Sequence, residues 1–279
     1  MTTPNPTLRQ RQLAARLRDL RHQAGLNIAD VAERLLCSPA KISRIETAQR
    51  RVSLRDVRDL CNLYNADPSP LMALAKDAQQ REWWQEYDDP EFRDMIGLEV
   101  EASAIVEYET TTVPGLLQTE DYARAMIRGW LPRIAGDILD DRVAARMKRQ
   151  DLLHRLDPPR YWVLLDESAL WRHVGGVQTM HEQLDHLARM AELPQITIQV
   201  IPFTVGAHMG FDSAFRHLAF DNKSGIADTV FVEHQMGHFY LEGYRVDRFK
   251  EIIDYLRAMA ESPQDSRKRI TDMATKFHP

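Results

Sequence analysis

At 279 residues the chain is long for one small module and suits two domains of ordinary size. Apolar residues make up 44% and charged residues 28%, close to globular averages, so each part can bury a core. No run approaches the roughly 20 apolar residues of a membrane span. The opening MTTPNPTLRQRQL lacks the apolar stretch of a secretory signal, and together these features predict a cytoplasmic location.

The net charge of −5 argues at first against a nucleic-acid partner, but it is unevenly spread. Residues 1–75 carry twelve Lys and Arg against seven Asp and Glu, a surplus of +5 that leaves the remainder at −10. A basic head on an acidic body suits a DNA reader joined to a second domain with a different task. Cys37 and Cys61 both lie in the head without metal-ligand spacing. In a reducing compartment each reads as a small buried hydrophobe rather than a redox sensor.

The head divides into short helices. Leu13, Leu17 and Leu20 recur at helical spacing, and Gly25 marks a stop. Asn27 caps a second helix with Val31, Ala32 and Leu35 inward. Ser38-Pro39 is a start signal, a capping hydroxyl followed by proline at the first helical position, and predicts a third helix over 39–49. Its Ile42 and Ile45 point inward, whereas Ala40, Lys41 and Arg44 share another face. Ser53 caps a fourth helix bearing Leu54, Val57, Leu60, Cys61 and Tyr64, and Pro68 opens a fifth.

Short helices with a tight turn between the second and third are the helix-turn-helix pattern, in which the third lies in the major groove. On this reading Pro39, Ala40, Lys41, Ser43 and Arg44 face base edges, Lys41 and Arg44 as donors to guanine and Ala40 against a thymine methyl. Ser38, Arg50 and Arg51 suit phosphates. The plainer alternative is a helical bundle with a solvated basic face. The stretch SPAKISRIETAQRRVSLRDVRDLCNLYNADP closely resembles the Xre (lambda-repressor-like) helix-turn-helix family over residues 8–75. That resemblance implies DNA binding. Ile28 stands where many members carry a phosphate-bracing glutamine, and Leu36 where glycine is common in the turn.

Residues 76–98, containing the adjacent Trp83 and Trp84, read as a linker helix. Neighbours on a helix diverge by about 100°, so the pair forms no flat stacking platform. From residue 99 the pattern becomes mixed. SAIVEYETTTV alternates as a strand, Thr119 caps a helix, and residues 138–153 form an amphipathic helix. Tyr161–Leu165, Ile196–Ile201, Phe215–Phe220 and Val230–Glu233 are strands. ESALWR and MHEQLDHLARMAEL are helical, as are Val246–Ala260 and Pro263–Lys276. The expected architecture is an all-α helix-turn-helix domain (1–75) and a larger α+β domain (99–279) with a mixed sheet and flanking helices.

Chemical motifs in the body are sparse. His181 and His186 are five apart, about 140° round a helix, and so fail the zinc-protease spacing of four. Val174–Val177 holds two glycines without nucleotide-loop spacing. Asp166 and Glu167 at a strand end, His208 in the loop GAHMGF, Glu233 and His234 are candidates for a ligand pocket, and no metal site or cofactor is expected. VPGLLQTEDYARAMI, RMKRQDLL, LLDESALWRHVGG and QLDHLARMAELPQITIQVIPFTVGAH look like the uncharacterised C-terminal domain that follows Xre modules in actinobacterial regulators of the WhiJ type. This resemblance, over residues 83–279, implies a transcription regulator, antitoxin-like in its pairing with a small protein from a neighbouring gene. The expected partners are a double-stranded DNA operator and a second copy of the chain. The rivals are an enzyme or ligand-binding domain tethered to a DNA-binding head, and an adaptor that chiefly binds protein.

Overall fold

The computed structural model describes residues 8–78, 83–86, 90–221, 226–234 and 237–277. They divide into two compact units, the first running to Leu98 and including Asp221 and Ile226, the second comprising Glu99–Phe220 and the described residues from Ala227 onward.

The first unit is helical, with α1 (Leu8–Gln23), α2 (Ile28–Arg34), α3 (Pro39–Glu46), α4 (Leu54–Leu63) and α5 (Ser69–Asp77). Local chemistry sets most of the ends. Gly25 leaves α1 at φ +67°, a conformation that costs glycine little. Asn27 and Asp30 form a reciprocal capping box on α2, while Ser38 and Ser53 cap α3 and α4. Leu13 and Leu17, Val31 and Ala32, Ile42 and Ile45, and Val57, Leu60 and Cys61 meet in one core. Cys61 is buried there, with its thiol pushed up by burial, as a structural cysteine should be. Trp83 and Trp84 stand edge to face at 88°, which excludes a flat platform.

Three non-glycine residues of the first unit, Leu36, Ala48 and Asn65, sit in the left-handed region just past the ends of short helices. Ala48 (φ +56°) stops α3 three residues short of the expected end at 49, with Thr47 as its cap. Leu36 (φ +50°) forms the turn between α2 and α3 with its side chain fully in water. A side chain pays roughly 1–2 kcal/mol there that glycine does not, partly offset by glycine's freedom in the unfolded chain. Leu36→Gly is therefore expected to stabilise the unit by about 0.5–1 kcal/mol, read as a higher urea midpoint at unchanged slope.

After α6 (Pro90–Glu101) the second unit builds a six-stranded mixed sheet. In chain order come β1 (Ala104–Glu109), α7 (Glu120–Trp130), α8 (Gly136–Arg149), β2 (Arg160–Asp166), α9 (Ser168–Trp171), α10 (Val177–Met190) and β3 (Ile196–Ile201). Then follow β4 (Phe215–Ala219), β5 (Thr229–His234), β6 (Gly237–Leu241), α11 (Tyr244–Met259) and α12 (Pro263–Lys276). The spatial order is β3-β2-β1-β4-β5-β6; β1, β2 and β3 are parallel, and β4, β5 and β6 run antiparallel to their neighbours. β1 is shorter than its alternating pattern suggested, ending at Glu109, and β6 was not expected from sequence.

Val106, Tyr108, Leu164, Phe215 and Val230 join Val246, Ile253 and Leu256 of α11 in one apolar layer. Alternation turns Ile105, Glu107 and Glu109 of β1 to the opposite face. That face holds the unit's main ionic network.

Candidate functional site

The candidate reading surface starts from the caps of α3. Ser38 accepts from the Lys41 backbone N–H, and Ile42 and Ile45 lock the inner face into the core. Ser38, Pro39, Ala40, Arg44, Arg50 and Arg51 are left exposed, with Ser43 half-buried. Arg44, Arg50 and Arg51 make no ion pair with another described residue. Exposed Thr47 and Gln49 adjoin this surface and escaped the sequence reading.

Lys41 is placed differently from its neighbours. Its ammonium lies 2.5 Å from Asp56 Oδ1, and Asp56 also accepts from Ser53 Oγ at 2.8 Å. Burial pushes the Asp56 carboxyl up, but the bonds from Lys41 and Ser53 outweigh it and hold the group below its ordinary range. Lys41 thus joins α3 to α4 and presents little charge outward. Asp56→Asn is expected to release it, raising DNA affinity and steepening the salt dependence by up to about one unit of log–log slope. Fluorescence anisotropy at graded salt measures this.

Behind the surface Arg21 of α1 grips Glu46 of α3 through Nε–Oε1 (2.7 Å) and Nη2–Oε2 (2.8 Å), while Nη1 donates to Leu26 O (2.9 Å). Both side chains are nearly inaccessible to water. Arg21 counts towards the basic head, yet its charge is spent inside, holding the C-terminal end of α3.

The five pocket candidates of the body do not form one site. Asp166 and His208 meet at 3.6 Å, and the His208 ring stacks on Phe211 while Nδ1 accepts from the Gly210 N–H. Within the loop the His208 side chain and Gly210 are enclosed while Phe211 stays exposed, and Gly210 is required because a Cβ there would fall 2.6 Å from the Tyr108 ring. Glu167 accepts from the Phe203 N–H (2.8 Å) and pairs with Arg269 (3.2 Å), a joint between helix and sheet. Glu233 lies on β5, three strand spacings or roughly 14 Å from β2. There it pairs with His238 at 3.7 Å, and His234 ends the strand. A single pocket drawn from these residues fails because β1 and β4 separate β2 from β5.

Sequence reading missed the polar network on the other face. Arg149 of α8 holds Glu99 of α6 bidentately (2.6 and 2.9 Å), and Arg216 of β4 bridges Glu99 (2.9 Å) to Glu107 of β1. Tyr161 of β2 donates to Glu107 at 2.5 Å. All five side chains are buried. The available signal was Glu107 and Glu109 alternating with Val106 and Tyr108 in a central strand, acids on a face that ought to be apolar. Among the described residues no group of three or more His, Cys, Asp or Glu is placed to hold a metal; His181 instead bonds the Ala274 carbonyl and His186 is half-buried.

A capped, rigid helix-turn-helix with an exposed basic third helix, joined to a separate α+β unit, defines a DNA-binding regulator. A helix-turn-helix domain model matches residues 12–74, and the model of a domain of unknown function (DUF5753) matches residues 92–272. The second match spans more than half of the chain, and the protein belongs to that family. Among solved structures, the clp gene regulator ClgR from C. glutamicum matches at 26% identity over 28% of this chain and 100% of that one, with a TM-score of 0.23 too low to bear on the fold. No curated protein matches. Among the described residues no helix is long and apolar enough to cross a membrane.

Proposed function

We propose that the protein is a homodimeric transcription regulator of the Xre type that acts in the cytoplasm and reads its operator with the N-terminal half of α3. The supporting observation is the surface of Ser38, Pro39, Ala40, Ser43 and Arg44, flanked by Arg50 and Arg51, on a helix fixed by a cap and a buried ion pair. Arg44 is the principal base reader, Pro39 and Ala40 permit close approach, and Ser38, Arg50 and Arg51 anchor phosphates. Lys41 contributes to reading only by leaving Asp56. A single short helix reads few base pairs, so two copies on half-sites about 34 Å apart supply the affinity. The acidic body serves sensing or partner binding. Its charge favours a basic small protein from a neighbouring gene, the antitoxin-like arrangement of actinobacterial relatives.

Selection of binding sequences from genomic DNA with the full chain tests this, followed by anisotropy on the selected site. Arg44→Ala is expected to lose about 1–3 kcal/mol and to relax preference at one base position. Arg50→Ala is expected to weaken all sequences alike. Recovery of no preferred sequence, or unchanged specificity in Arg44→Ala, overturns the reading. An enzymatic reading has no comparable support, since its candidate acids and histidines are tied up in separate structural contacts.

A further inference from the structure

The two edges of the six-stranded sheet are finished differently. At one edge β3 is closed by the passage from α11 into α12. The Glu261 N–H donates to Val200 O at 2.9 Å, and Ser266 Oγ accepts from the Val200 N–H at 2.8 Å. At the other edge stands β6, and among the described residues no strand lies outside it. Among those residues the backbone groups of Phe239 and Leu241 make no hydrogen bond beyond β5. Natural edge strands are commonly guarded by a lysine, a proline or an inward-pointing charge. Gly237–Leu241, GHFYL, contains no lysine, proline or acid.

The apolar layer beneath α11 also stops short at this edge. Val230 belongs to that layer, and Val232 and Leu241 pack against it. Phe239 lies opposite Val232 in the β5–β6 register and shares its face. Yet Phe239 is 55% exposed, and Tyr244 at the start of α11 is 78% exposed. On the other face His238 and Tyr240 flank the Phe231 ring, with centroids 5.0 and 5.2 Å away. The layer is built as far as Phe239 and then left open.

We propose that β6 pairs antiparallel with β6 of a second copy about a two-fold axis through Tyr240, which joins two six-stranded sheets into one. This rests on the homodimeric reading and names the surface that carries it. A two-fold axis perpendicular to the sheet keeps each residue on its own face, so only residues of the same alternation meet. With the axis through Tyr240, Phe239 lies opposite the partner's Leu241 and carries the apolar layer of one copy into the other. His238 lies opposite the partner's Glu242, an imidazole facing an exposed carboxylate. Gly237 lies opposite the partner's Gly243, and no like charges face each other. An axis through Phe239 would instead set Gly237 against the partner's Leu241 and leave Glu242 facing nothing in β6. A standard interface hides roughly 800 Å² per partner. Five residues of strand supply less unaided, so the dimer is expected to depend on concentration.

The test is sedimentation equilibrium of the full chain over a range of concentrations, joined by cysteine cross-linking in a Cys37→Ser background. The wild type is expected to reach a dimer. Phe239→Lys changes a side chain already half in water and so keeps the fold, which the urea transition of the second unit checks. It is expected to weaken self-association by about tenfold or more, as a guarding charge on an edge does. Tyr240→Cys is expected to give a disulfide-linked dimer under mild oxidation. Directly opposed residues of an antiparallel pair have Cα atoms about 4.5–5.5 Å apart, within disulfide reach. Leu156→Cys, fully exposed ahead of β2, is the control and is expected to stay unlinked. A wild-type chain that remains a monomer overturns this surface and the homodimer together, whatever else covers the edge. A dimer undisturbed by Phe239→Lys, or a Tyr240→Cys chain that cross-links no faster than Leu156→Cys, overturns the β6 pairing and leaves the homodimer standing.

Discussion

Replacing Glu99 with Gln is expected to destabilise the second unit by about 3–5 kcal/mol, the usual result of breaking a buried ion pair by removing one partner. Glu99 compensates two buried guanidiniums, those of Arg149 and Arg216, and the substitution keeps its shape while removing its charge. The cost arises from the charge left behind, because Arg149 then faces Arg216 without an anion between them. It is a large share of the roughly 5–15 kcal/mol that holds an ordinary domain together. The measurement is urea unfolding of the full chain followed by far-ultraviolet circular dichroism, with the transition of the second unit moving to lower urea. An Arg149→Met, Glu99→Leu pair is expected to recover much of the loss, since Arg216 retains Glu107 and apolar replacement of a whole ion pair is often neutral. A double variant no better than Glu99→Gln would show that packing, not uncompensated charge, sets the cost.

Glu46→Ala is expected to be as severe in the first unit and to have a second consequence. Arg21 keeps its bond to the Leu26 carbonyl but loses both bonds to the carboxylate, again about 3–5 kcal/mol for a buried charge stripped of its partner. A helical head of about seventy residues, such as α1–α5, rarely holds more than about 3–5 kcal/mol from its core. The first unit should therefore be largely unfolded at room temperature while the second keeps its transition. DNA affinity should collapse with it, although Glu46 faces away from the reading surface. Arg21→Met with Glu46→Leu is expected to restore both folding and DNA binding. Restored folding without DNA binding would show that the ion pair sets the angle of α3, and not merely its stability.

These two clusters also mark where sequence reasoning stopped. The helices of the head were legible because their signals are local: Ser38 before Pro39, Ser53 and Asn27 as caps, and inward residues at spacings of three and four. The strands read from alternation were found for the same reason, with β1 trimmed to Glu109. The strand β6 escaped because GHFYL is short, opens on glycine and alternates weakly. The charge surplus of residues 1–75 was likewise visible as a count, but a count does not say which charges face water. Arg21 and Lys41 both entered the basic total, and the fold turns one inward to Glu46 and hands the other to Asp56.

The sequence by itself determined the helix-turn-helix head, the mixed α+β body and the surface of α3, because caps, turns and hydrophobic periods act over a few residues. Only the tertiary structure decided the pairing of charges. Glu99, Glu107, Arg149 and Arg216 come together from α6, β1, α8 and β4 across as many as 117 positions of chain. It also separated Asp166 from Glu233 by inserting β1 and β4 between their strands. A charge's partner is chosen by strand order and helix packing, and no local pattern in the chain encodes it.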